Sequence, residues 1–479
     1  MSAGFSPLSL KCGGLIAELP FADPLTLFAP FADQPFALLL ESARAHDPQG
    51  GRWSFILTAP RSRIIVPAGE SHSRRPFDSL RAMCAPDPHM IEFAAAITQT
   101  FKERLNTPPP PFVGGVAGLF GYELGHALER LPIVEGGVST PDMAVGFYTR
   151  VIAFDHKTYR AFLLSADGNS DDADFLQAQP EASPTINPQV HNADVFAVPD
   201  CMNSNFTRTD YENAIARIIE HIRAGDIFQA NLSQRFETPL MPDDTPLAVY
   251  ARLRRISPAP FAGFFNLGEV SILSSSPERF VSCRDGVVET RPIKGTRPRG
   301  KTPAQDKALA EELKTNSKDR AENIMIVDLL RNDLSKVCTN YSVKTEKLCA
   351  HEAYPSVHHL VSTISGRLRS GLGPVDLLTA CFPGGSITGA PKIRAMEIIT
   401  SSENSRRGAY CGALGYIGVD GTMDTNIAIR TITIEGQRAF FQAGGGITAA
   451  SDPTAEYEET LVKAAPMAQA LTLPSTHEE

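Results

Sequence analysis

"TDYENAIARIIEHIRAGDIFQANLSQRF", residues 209–236, places a helix directly before a strand. Thr209 and Glu212 have the spacing of a capping box. Ile215, Ile218, Ile219 and Ile222 keep one apolar face, and Gly225 ends the run. "DIFQANLSQRF" (226–236) then reads as a strand. Further along, 271–282 and 286–296 read as strands. Residues 317–337 read as a long helix capped by Ser317, and 452–464 as a helix with Asp452 at the cap and Pro453 in first position. Toward the N-terminus, 36–42 and 51–57 are strand candidates. The four prolines of 106–112 demand a loop, and 113–125 is glycine-rich. Strands cluster between separated helices, which predicts an α+β fold rather than regular βαβ alternation. The expected organisation is an N-terminal subdomain over 1–165, a polar linker over 166–206, and a catalytic region over 207–479.

Composition is that of a soluble globular protein, 42% hydrophobic and 21% charged. A net charge of −9 argues against nucleic acid or an anionic membrane surface as partner, since phosphates attract a basic field. No apolar run is long enough to cross a bilayer, and the N-terminus lacks the form of a secretory signal. The eight cysteines are scattered without any C-x-x-C, as expected of a reduced, cytoplasmic protein.

Two acid pairs at i,i+3 stand out: Asp319 with Glu322, and Glu456 with Glu459. Like charges on one helix face repel, so either solvent or a hard divalent cation compensates them. Lys463 lies seven residues past Glu456, as an i,i+4 partner of Glu459 or a contact for a substrate anion. "FPGGSITGAPKIRAMEII" (382–399) has the glycine pair of a phosphate loop, but Ala390 and Pro391 stand where Lys and Ser/Thr are required. "AGGGITAASD" (443–452) fits a dinucleotide fingerprint in spacing only, with no acid about twenty residues on. Its Gly444, Gly445 and Gly446 leave either a tight turn or a place for a ligand to approach the backbone. Arg430, in an otherwise apolar strand, needs an anionic partner. Lys294 in "RPIKGT" and Glu278 in "SSSPERF" lie on adjacent strand candidates that a hairpin would bring together. The pair is either a structural ion pair or a nucleophile with a general acid.

Several of these strings together resemble the chorismate-utilising enzymes: "DIFQANLSQRF", "SSSPERF", "PIKGTRPRG", "DRAENIMIVDLLRNDLSKV", "HHLVS", "FPGGSITGAPKIRAMEII", "YCGALGYIG", "AIRT" and "QAGGGITAASDPTAEYEETLVKA". They follow the family order through 206–465. The N-terminal "LLLES" and "GGVAGLFGYELG" resemble it too. The resemblance implies an anthranilate-synthase-like fold: two large, mostly antiparallel sheets packed together with helices outside. It implies Mg²⁺ on Glu322 and Glu459, supported by Asp319 and Glu456. It implies chorismate contacts at Gly295, Thr296, Tyr416, Arg430, Gly444, Gly445, Gly446 and Lys463, with Thr388 and Lys392 in a matching motif. His359 matches a histidine near the leaving group in anthranilate-forming members. Leu40, Glu41 and Ser42 match the core of the family's tryptophan pocket.

Anthranilate-forming members typically carry alanine in "PIAGT", whereas members that aminate chorismate at C4 carry "PIKGT", as here. The resemblance therefore implies Lys294 as a covalent nucleophile at C2, Glu278 as its acid and base, and a folate-directed product. An anthranilate-forming enzyme with Lys294 as a tolerated variant is the alternative. Water-adding members place a lysine base where this chain has Gln229. With no amidotransferase triad in view, the resemblance implies a separate glutamine amidotransferase subunit in a heterodimer, and a separate lyase.

Overall fold

The computed structural model describes residues 7–43, 51–134, 136–168, 202–354 and 357–473. The expected linker falls largely on 169–201, outside the described residues. Among those described, strands form two antiparallel sheets of 13 and 10 strands. Both sheets take strands from either side of the expected linker. Phe261–Asn266 pairs with Leu38–Glu41 in the first, and Ala413–Gly418 pairs with Gly115–Phe120 in the second.

Side-chain alternation explains the layering. A strand sends successive residues to opposite faces, so a sheet covered on both sides is apolar throughout. Phe55 and Leu57 enter the core between the sheets, as do Phe265 and Ile272. Ile56, Phe264 and Leu273 enter a second core on the other face. There they pack under the helices Pro246–Ile256 and Pro453–Thr472, through Val249, Leu253, Met467 and Leu471. The expected two packed sheets with outer helices are therefore present.

Local readings shift in instructive ways. The helix expected from Thr209 spans Arg208–Arg223 and is capped by Thr207, whose hydroxyl accepts from Asp210 N–H at 3.1 Å. The Thr209–Glu212 box is not used, and Glu212 instead meets Arg208 at 3.0 Å. Asn316, not Ser317, caps Ser317–Ser335, accepting from Asp319 N–H at 2.9 Å. Asp452 does cap Pro453–Thr472, with Pro453 in the first position. The stretch 271–282 divides into Val270–Ser276 and Arg279–Arg284, and 286–296 divides into Val287–Thr290 and Ile293–Pro298. Pro277 and Pro292 sit at the breaks, where a proline offers the ladder no N–H.

Candidate active site

The strand Ile293–Pro298 lies at one edge of the second sheet and pairs with Val357–Arg367. Its register slips between Lys294, opposite Leu360, and Thr296, opposite His359. Gly295 fills this bulge at φ 77°, where a Cβ would stand 2.9 Å from Leu313 and 3.0 Å from Asp319. A bulge re-aims the side chains that flank it. Here Lys294 turns inward, half-buried, and its Nζ donates to the Ser386 carbonyl at 3.2 Å.

Glu278 occupies the break between two strands and is buried. Its Oε1 accepts from the Ser386 hydroxyl at 2.7 Å. Burial pushes the Glu278 carboxyl up to about 7, against the pull of the Ser386 hydroxyl, the Lys294 charge and the Ile293 N–H. The expected proximity of Glu278 and Lys294 is thus present, although no single hairpin makes it. Val287–Thr290 and Ile293–Pro298 both pair with Val357–Arg367.

The glycine run lies in Arg438–Ile447, which pairs with Gln229–Pro239 so that Gly446 faces Asn231 and Gly444 faces Ser233. A Cβ on Gly446 would meet Gln229 Nε2 at 2.2 Å and Lys294 Nζ at 3.6 Å. One on Gly445 would meet Glu456 Oε2 at 3.1 Å, Lys463 Nζ at 3.8 Å and Glu459 Oε1 at 3.9 Å. The run is therefore where backbone, lysines and acids converge, and it is not a turn. Gln229 is fully buried, and neither of its amide atoms has a hydrogen-bond partner among the described residues. Buried amides are normally satisfied, so this one suits a polar ligand beside Lys294.

The acids gather from two helices. Asp319 pairs with Arg297 at 3.0 Å. Glu456 accepts from Ser451 Oγ at 2.6 Å and from Lys318 Nζ at 3.2 Å. Lys463 pairs with Glu459 at 2.7 Å, as the i,i+4 spacing predicts, and donates to Gly444 O at 2.9 Å. Burial raises the Glu322 carboxyl above its usual range; Glu456 and Asp319 add to this, and Lys294 and Lys318 oppose it. Burial also pushes Glu459 upward, but Lys463, Lys318 and Lys294 outweigh it and hold that carboxyl low. Among the described residues no three acidic, histidine or cysteine side chains close around one point. Magnesium usually takes only one or two protein carboxylates, with ligand oxygens and water completing its shell. Glu322 and Glu459 provide that donor chemistry, so the residues present fit the ion.

Other expected contacts settle differently. His359 is buried, and its Nδ1 meets Thr296 Oγ1 at 2.9 Å, beside the site. Arg430 is half-buried at φ 50° just before Thr431–Glu435, so it leads into the strand rather than lying in it. The Thr388 hydroxyl is turned to Gly384 O at 2.9 Å and steadies its own turn. Lys392, itself half-buried, is bound to the buried Asp333 at 2.6 Å and to Cys381 O at 2.8 Å.

Tyr416 does not join the Lys294 cluster. Its ring packs on Phe55 and Phe112, with centroids 5.7 Å and 4.6 Å away, and its charged neighbours are Asp424 and Arg279. It lines a separate cavity of about 380 Å³ with Leu40, Glu41 and Trp53. The Glu41 carboxyl is held by the helix Pro246–Ile256, through Tyr250 at 2.6 Å and Arg254 at 3.0 Å. The Ser42 hydroxyl is buried without a partner among the described residues. Ser386 is the site residue for which the sequence offers no signal, lying unremarked between the phosphate-loop-like glycines of 382–399.

A convergence of lysine, raised carboxyl, glycine strand and acid pairs on a double antiparallel sheet defines a class, and comparison with known proteins agrees. The family model for chorismate binding enzymes matches residues 40–469, and the chain belongs to that family. It is 40% identical over 437 residues to aminodeoxychorismate synthase component 1 of Klebsiella aerogenes, covering 91% of this chain and 94% of the relative. It is 36% identical over 488 residues to anthranilate synthase component 1 of Pseudomonas putida, covering 98% and 97%. The crystal structure of anthranilate synthase component I from Streptococcus pneumoniae superposes with a TM-score of 0.73 at 31% identity, over 88% of this chain and 93% of that one. No helix among the described residues is long and apolar enough to cross a membrane.

Proposed function

We propose that the chain replaces the C4 hydroxyl of chorismate with an amino group through a covalent Lys294 adduct at C2. The observation that carries this is the placement of the Lys294 amine and the Glu278 carboxyl on two ends of Ser386, beside the glycine strand. The Lys294 side chain first gives its ammonium proton to solvent, and the free amine then adds at C2. Both ring double bonds shift by one place and the C4–O bond breaks. Glu278 gives its proton to the departing oxygen, which leaves as water. Ammonia then adds at C4, the electrons return through the ring, and the C2–N bond breaks to release Lys294 as a neutral amine. The Glu278 carboxylate takes the excess proton from the new C4 nitrogen. Chorismate and ammonia become 4-amino-4-deoxychorismate and water, and both side chains are restored. A carboxyl titrating near neutrality serves in both directions, and the adduct divides one difficult displacement into two.

Gly295, Thr296, Arg430, Gly444, Gly445, Gly446 and Lys463 bind the substrate in this reading, and His359 orients Thr296. Glu322 and Glu459, with Asp319 and Glu456 beside them, would hold a magnesium ion, which when bound neutralises the acids and draws a substrate carboxylate. Gln229 presents an amide where water-adding relatives place a base. The name "component 1" carried by the relatives supports a separate partner, here a glutamine amidotransferase supplying ammonia on the route to 4-aminobenzoate and folate. The cavity by Leu40 and Trp53 is the corresponding candidate for tryptophan.

Incubation with chorismate, Mg²⁺ and ammonium is expected to yield 4-amino-4-deoxychorismate. Anthranilate fluorescence with release of pyruvate would instead establish the anthranilate-forming alternative, which the Pseudomonas putida relative keeps open. Gly446→Ala places a methyl against Gln229 and Lys294. It is expected to lower kcat/KM by about tenfold or more, the scale of one misplaced methylene, while thermal unfolding stays close to that of the parent. Unchanged kcat/KM would remove Gly446 from the site.

A further inference from the structure

Ser386 belongs to the short turn Gly385–Ile387, and both of its polar ends are engaged. Its hydroxyl donates to Glu278 Oε1 at 2.7 Å and its carbonyl accepts from Lys294 Nζ at 3.2 Å. The turn cannot easily move. Thr388 Oγ1 holds the Gly384 carbonyl at 2.9 Å, and the fully buried Arg407 holds the Ile387 carbonyl at 2.9 Å. Gly384 and Gly385 press so closely on Ile427 and Leu329 that an added Cβ would come within 2.5 Å and 2.8 Å of them. The neighbours of Ser386 are thus pinned on both sides, and Ser386 is a fixed post between two reacting groups.

We propose that Ser386 is a positioning residue that fixes the separation of nucleophile and acid and sets the pH at which Glu278 yields its proton. This rests on the reading of Lys294 and Glu278 given above. A donating hydroxyl favours the charged form of its carboxylate partner. Without it, Glu278 holds its proton to a higher pH. The other groups facing Glu278 are Lys294 and the Ile293 N–H from the edge strand, and the buried Cys411 from the segment before Ala413–Gly418. Of these only the Ile293 N–H is a neutral donor, and it is present in parent and variants alike.

The test compares the parent with Ser386→Ala and Ser386→Thr in ammonium-dependent amination across the limb near neutrality. Adduct mass on the Lys294 peptide and thermal unfolding are followed in each. Ser386→Ala is expected to lower kcat by about tenfold or more with little change in KM for chorismate. It should also move the limb upward by about one pH unit, the scale of a charge-assisted hydrogen bond. Ser386→Thr, which keeps the hydroxyl, should return the limb toward the parent. If alanine prevents folding, Ser386→Cys, with its weaker donor, is expected to show a smaller shift in the same direction. An unmoved limb in a folded variant, or a threonine variant that shares the alanine defect, overturns the role of Ser386. Absence of an adduct in the parent itself overturns the underlying reading instead.

Discussion

Lys294→Ala is expected to lower kcat for ammonium-dependent amination by on the order of 10⁴-fold or more, the scale on which loss of a covalent nucleophile is felt. The argument is geometric. The Nζ of Lys294 is half-buried, tied to Ser386 O and directed toward Gly446, so it lies inside the glycine-lined site rather than in bulk solvent. Alanine removes the only lysine that both adjoins Glu278 and reaches this strand among the described residues. In the proposed reading Arg430, Lys463 and the glycine backbone bind chorismate and are left in place, so its binding should suffer far less. Steady-state kinetics with a direct binding titration separates the two effects. Full turnover in the alanine variant would reduce Lys294 to an ion-pair partner of the site.

Glu278→Gln is expected to show opposite effects on activity and stability. In the proposed route its carboxyl serves both halves as acid and base, so its loss is expected to cost about 10²- to 10⁴-fold in rate, and the limb near pH 7 should vanish with it. Stability should move the other way. The folded carboxyl holds its proton to about pH 7, whereas an ordinary glutamate gives it up near 4.5. Between those values the native state binds more protons than the unfolded chain. Native stability therefore falls as pH rises through that window, and the loss is complete above pH 7. Glutamine keeps an oxygen for the Ser386 hydroxyl without the buried charge. The variant should therefore gain up to about 3 kcal/mol over the parent at mildly alkaline pH, and lose that advantage below about pH 4.5. Denaturant unfolding at two pH values measures this. A variant less stable than the parent at both would contradict the burial of an ionisable Glu278.

Much of the fold was legible because its signals are local. The apolar face of Arg208–Arg223, the Asp452–Pro453 helix start and the proline loop each depend on residues within a turn or two of one another. The errors also have local causes. Thr207 with Asp210 and Thr209 with Glu212 offer overlapping caps, and only the geometry of the entering chain chooses between them. β-prone residues continue on both sides of Pro277 and Pro292, so the sequence pattern alone does not show the strand breaks there. The acid pairs and the glycine run were visible by spacing, yet their convergence depends on sheet register and on two distant helices.

Ser386 could not be found that way. Its two partners lie 108 and 92 residues from it in sequence, so no motif spacing carries the contact. Tyr416 shows the converse. Its motif matched, but its ring packs on Phe55 and Phe112 and lines the cavity beside Leu40 and Trp53.

The most direct measurement is intact-protein and peptide mass spectrometry after exposure to chorismate and Mg²⁺ with ammonia withheld. A covalent Lys294 route predicts added mass equal to chorismate less one water, confined to the peptide carrying Lys294 and lost when ammonium is supplied. Unmodified protein under conditions where ammonium alone then restores turnover would contradict it.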